Sequence, residues 1–154
     1  MKEPDLSLVV PAEDMRGDDL QDTHLLNQDL EEATRFLSKF KWCTKVVRRF
    51  FGFGAGGVVT VFLFEIVPSS PDVDPFLWVV AGDIPPAYLV TDDAPTPRQA
   101  LGAYVEEMST WVAAVREGRS VEDLIPVNVD ATKENAESLA KRLEFISQEL
   151  LMRA

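Results

Sequence analysis

The stretch Val58-Val59-Thr60-Val61-Phe62-Leu63-Phe64-Glu65-Ile66-Val67 is almost wholly β-branched or aromatic, the composition of a strand. Both of its alternating faces are apolar: Val58, Phe62, Phe64 and Ile66 on one, Val59, Val61, Leu63 and Val67 on the other. A sheet with one covered face alternates apolar with polar residues, so a strand that is apolar on both faces needs cover on both. The segment reads as a central strand, with helices over each face or with its second face at a subunit interface. Phe76–Ala81 repeats the pattern. Neither run is long enough to cross a bilayer as a helix.

Working outward, Thr44–Phe53 is a second Val- and Phe-rich strand. Gly54-Ala55-Gly56-Gly57 joins it to the first as a hairpin turn, because glycine reaches positive φ at little cost. The run from Pro68 to Pro75 is another turn, and Ala87–Thr91 supplies a short fourth strand. Leu26, Leu30, Ala33, Leu37 and Phe40 repeat at three- and four-residue steps, which predicts a helix over Asp22–Trp42, capped by Asp22 or Thr23. Thr96-Pro97-Arg98-Gln99 opens a second helix: Thr96 caps, Pro97 takes the first helical position and Gln99 closes a capping box. Gly118 ends it, Ser120–Leu124 forms one helical turn, and a last helix runs from Thr132 to about Met152. Short connections between the first strands favour an antiparallel meander. The expected fold is α+β: an antiparallel sheet of three to four strands, one N-terminal helix and two C-terminal helices. Residues 1–21 read as an acidic flexible tail in which Leu6–Val10 is a weak candidate edge strand. Residues 22–154 form the single domain.

Charge is segregated along the chain. Residues 1–32 carry ten acids and two bases, residues 33–64 no acid and six bases, and residues 65–154 sixteen acids and seven bases, for a net charge of −11. So acidic a chain repels nucleic acid and anionic membrane, and a partner steered by its field is basic. The bases Lys39, Lys41, Lys45, Arg48 and Arg49 lie near Phe50, Phe51 and Phe53 and superficially suggest an RNA-stacking sheet. Pairing with the acidic C-terminal half or the N-terminal tail is the better reading, and Arg48 and Arg49, adjacent on a strand, point to opposite faces.

No motif commits the chain to a reaction. The glycines of Gly52–Gly57 precede a strand, whereas a phosphate loop needs glycines that open a helix. His24 and Cys43 are the only residues of their kinds, and the intervening helix sets them on the order of 28 Å apart. That excludes a thiol–imidazole pair, and Cys43 reads as a small buried hydrophobe. No metal site and no cofactor are expected: one His and one Cys cannot make the usual zinc ligand sets in a monomer. Asp92-Asp93 and Glu106-Glu107 read as solvated charge. The best ligand-binding candidates are Trp78, Asp83 and Tyr88, where a carboxylate, two prolines and two aromatics meet at a sheet edge. For Asp83 the plainer alternative is to satisfy N–H groups of its own turn.

The span from Lys41-Trp42-Cys43 to the last helix, centred on Gly82-Asp83-Ile84-Pro85-Pro86-Ala87-Tyr88-Leu89-Val90-Thr91-Asp92-Asp93-Ala94-Pro95-Thr96-Pro97, resembles a group of uncharacterised small acidic bacterial proteins. The resemblance implies a bacterial cytosolic origin and brings no activity with it. With no apolar leader visible behind Met1, a cytoplasmic location is the default.

The expected function is that of a non-enzymatic interaction protein with an acidic surface for a basic partner, immunity-like or inhibitor-like by analogy only. The alternative is a small-molecule or enzymatic pocket around Asp83, Tyr88 and Trp78. One helix is narrower than three strands. Some of Phe50, Phe62, Phe64 and Trp78 are therefore expected to stay exposed in a monomer, and a two-fold homodimer is the expected way to bury them.

Overall fold

The computed structural model describes residues 4–152; residues 1–3 of the expected tail and 153–154 of the expected domain lie outside them. Five strands form one antiparallel meander in chain order: β1 (Val10–Pro11), β2 (Cys43–Ala55), β3 (Val59–Pro68), β4 (Phe76–Gly82) and β5 (Ala87–Val90). Among the described residues three α-helices accompany them: α1 (Leu20–Ser38), α2 (Pro97–Arg116) and α3 (Lys133–Ile146), the last continued by a π-helical turn over Ser147–Leu151. The α+β class and antiparallel sheet stand as expected, but the sheet has five strands, not three or four. The added strand is β1, whose Val10 and Pro11 pair with Phe51 and Phe50.

Both apolar faces of the central strand are covered within the chain, one of the two alternatives that its pattern left open. Val59, Val61 and Leu63 of β3 join Phe76, Trp78 and Val80 of β4 beneath α2 and α3. Phe62, Phe64 and Ile66 join Leu77, Val79 and Ala81 beneath α1. Val58 precedes β3 and packs on the α2–α3 side, so its assignment to the Phe62 face is corrected.

One helix does not cover the second face alone, and the N-terminal segment supplies the difference. Ala12 and Met15, in the region expected to be a solvated tail, are buried in the same cluster as Leu26, Leu30 and Phe64, with Met15 only 1% exposed. Val9 is buried on the opposite side with Phe50. Phe50, Phe62, Phe64 and Trp78 are all buried within a single chain, the last beneath α2 and α3, and the exposed aromatic patch expected for a homodimer is not formed.

Two helix boundaries differ from expectation for local reasons. The first helix starts at Leu20 because Asp19, not Asp22 or Thr23, is the cap, accepting from the Asp22 N–H at 2.7 Å. It stops at Ser38 rather than Trp42. Phe40 and Trp42 stack at 4.8 Å and both rings meet Tyr88; residues two apart in a helix face different ways, so the helix must end for both to reach one ring. The capping box of Thr96 and Gln99 forms as read, with Pro97 opening α2. Residues 120–124 hold a single tight turn, the Leu124 N–H donating to the Val121 carbonyl oxygen at 3.1 Å, and no helix. Among the described residues, no helix is long and apolar enough to cross a membrane.

Candidate functional site

The residues singled out as a ligand site are not brought together. Trp78 and Tyr88 sit on neighbouring strands, but Trp78 lies on the α2–α3 side and Tyr88 on the α1 side. Trp78 is buried and donates its indole N–H to the Ala94 carbonyl oxygen at 2.6 Å. Asp83 follows β4 and its carboxylate accepts from Arg142 of α3 at 3.2 Å, not from the N–H groups of its own turn. It borders an open polar cleft of about 290 Å³ together with Glu32, Asn128, Asn135 and Ser138. Burial, helped by the charges of Asp29 and Asp83, raises the Glu32 carboxyl above the ordinary range.

The glycine turn between β2 and β3 is gripped by helix carboxylates. Asp22 accepts from the Gly56 N–H at 2.9 Å; Asp29 accepts from the Gly57 N–H at 3.2 Å and from the buried Thr60 hydroxyl at 2.8 Å. The backbone N–H groups that a phosphate would take are thus engaged by the protein itself. A Cβ on Gly56 would meet the Asp22 carbonyl and carboxylate oxygens at 2.7 Å, which is why a residue without one stands there. Desolvation raises the Asp29 carboxyl, against the opposing pull of its two donors.

The two arginines of the basic run are partnered. Arg48 pairs with Glu65 and lies over the Phe50 ring; Arg49, on the other face, reaches Glu31 and Thr34 of α1. The Cys43 thiol is buried, and burial raises its pKa. Among the described residues, no group of three or more His, Cys, Asp or Glu side chains is placed to hold a metal ion.

Tyr88 belongs instead to a different site, at the β5 edge. A cavity of about 330 Å³ borders all four residues of β5. Phe36 and Phe40 of α1 form one wall; Ala103 and Glu107 of α2 with Ile125 and Pro126 form the other. Asp93 also lines it. Among the described lining residues there are two carboxylates and no basic side chain. Phe36, Phe40, Trp42 and Tyr88 form a connected set of half-buried rings with centroids 4.8 to 5.3 Å apart.

The strand at this site is fixed from both ends. Before it, the buried Tyr104 of α2 donates its hydroxyl to the Pro85 carbonyl oxygen at 2.7 Å. After it, Trp78 holds Ala94. Burial drives the Tyr104 phenol far above its ordinary pKa, so it stays a neutral donor.

Phe36, Ile125 and Pro126 carry no site reading in the sequence, and Asp93 and Glu107, read there as solvated charge, line the cavity as well. Two signals point to the first three. Phe36 is apolar beside the α1 stripe rather than within it, and Leu124-Ile125-Pro126-Val127 is an apolar run in an otherwise polar connection. No protein-family model, curated protein or solved structure matches the chain. The site is therefore defined by its geometry, in an α+β protein whose antiparallel meander lies between one helix and a helical pair.

Proposed function

We propose that the chain is a non-enzymatic interaction protein and that the β5 groove is where a basic partner docks. The observation that carries this reading is the groove's chemistry: apolar and aromatic walls, the Asp93 and Glu107 carboxylates, and no base among the described lining residues. Aromatic walls provide contact area at low entropic cost, and carboxylates at the rim select a cationic partner and speed its approach. The net charge of −11 acts in the same direction at longer range and against nucleic acid.

Selection of a displayed random octapeptide library on the full-length protein tests the proposal. Enrichment of peptides that carry Lys or Arg together with apolar residues, and that shift the resonances of residues 87–90 on titration, supports it. Enrichment of acidic peptides, or of none, overturns it.

A further inference from the structure

We infer that the groove receives its partner as a strand: an extended segment with Lys or Arg among alternating apolar residues adds to the free edge of β5. The inference rests on the reading of the groove as a docking site, and supplies the mode of binding and the pattern recognised.

The backbone comes first. β5 is the last strand of the sheet, and among the described residues its only paired neighbour is β4. Because the cavity touches each residue from Ala87 to Val90, the unpaired edge itself forms the floor. An added strand takes up such N–H and C=O groups directly.

The two edges of the sheet are treated differently. β2 is covered by β1 at Phe50 and Phe51, carries three register shifts against β3, and bears Lys45, Arg48 and Arg49. Bulges and charges of this kind blunt an edge against pairing. β5 reads Ala-Tyr-Leu-Val, with neither charge nor proline, and its register with β4 is unbroken from Val80↔Ala87 to Leu77↔Val90. Its shortness limits a visitor to about four to six paired residues, close to an ordinary strand length.

The walls then set the side-chain pattern. Ala87 and Leu89 face α2 while Tyr88 faces α1, so alternate side chains of an added strand meet opposite walls. One set meets Phe36 and Phe40; the other meets Ala103, Ile125 and Pro126 beside Glu107. The hydrogen bonds to Pro85 and Ala94 hold the edge in place beforehand, which reduces the ordering cost of binding. Charge chooses the occupant. A second copy paired β5 to β5 about a two-fold axis would bring its own Asp93 and Glu107 against the same pair, whereas a basic segment neutralises them.

The test uses the full-length protein and the best octapeptide from the library selection. Backbone N-methylation is scanned along the peptide, and amide hydrogen exchange is followed along β5. Strand addition predicts that N-methyl groups at alternate positions weaken binding by about tenfold or more, since each removes a ladder hydrogen bond and adds a clash, and that those between have little effect. It also predicts slowed exchange within Ala87–Val90 on binding. A basic peptide that binds with no alternating N-methyl effect and no added protection in β5 overturns strand addition and leaves the docking site standing. Absence of any basic binder overturns both. Sedimentation of the free protein as a dimer that the peptide dissociates would give the edge to a second copy, and would also overturn the inference.

Discussion

The hydroxyl of Tyr104 on α2 donates to the carbonyl oxygen of Pro85 at 2.7 Å, in the turn that delivers the chain into β5. Removing this bond leaves a carbonyl without its partner, at a cost of about 1–3 kcal/mol. Tyr104→Phe is expected to lower stability by that amount in urea unfolding. Amide exchange separates its local effect from its global one: β5 amides should speed up more than those of β3. Equal acceleration in both strands would mean that Tyr104 stabilises the core without positioning the edge.

Asp29 gives a signed pH dependence. Burial raises its pKa in the folded chain above the unfolded value of about 3.9. The folded state therefore binds the proton more tightly, and the associated stability is complete below the unfolded value and lost as pH rises through the folded one. Asp29→Asn keeps an acceptor for Thr60 and removes the charge. Its stability relative to the parent should rise as pH increases through that window, as read from denaturant midpoints at successive pH values. A flat difference would show that the carboxylate of Asp29 is not held against its charge.

Met15 tests the role of the N-terminal segment as cover. It is 1% exposed against the α1 side of the sheet. Met15→Ala should cost about 2–5 kcal/mol, the usual range for emptying a buried methionine site. A chain beginning at Arg16 should expose part of the face formed by Phe62 and Phe64, bind a hydrophobic dye and self-associate in sedimentation. A monomeric, dye-free truncated chain would assign the cover of that face to α1 alone.

Legibility from the sequence followed the reach of each signal. Periodicity and caps are local: the central strand forms within one residue of its expected bounds and the Thr96–Gln99 box forms as read, while the hairpin turn falls at 56–58 rather than at Gly54–Gly57, because Gly54 and Ala55 still pair with Thr60 and Val59. The cover of the α1 face is not legible because Met15 stands alone between charged residues and Ala12 ends the short run Leu8–Ala12, with no period to announce either. Sequence proximity alone groups Trp78, Asp83 and Tyr88. Strand alternation and the turn then sent the three to different surroundings. The other walls of the groove come from residues 36, 103, 107 and 125, which only tertiary packing brings to β5.

Charge reversal in the groove is the most direct measurement of the central claim. Asp93 and Glu107 are exposed, so Asp93→Lys with Glu107→Lys should leave the fold intact, which circular dichroism and the thermal midpoint verify. The dissociation constant of the best basic octapeptide is then measured for parent and double variant at low and at physiological salt. The account predicts binding weakened by about tenfold or more at low salt, with the gap narrowing as salt is added, because reversed rim charges repel what the carboxylates attracted. An unchanged dissociation constant in a folded double variant would contradict it.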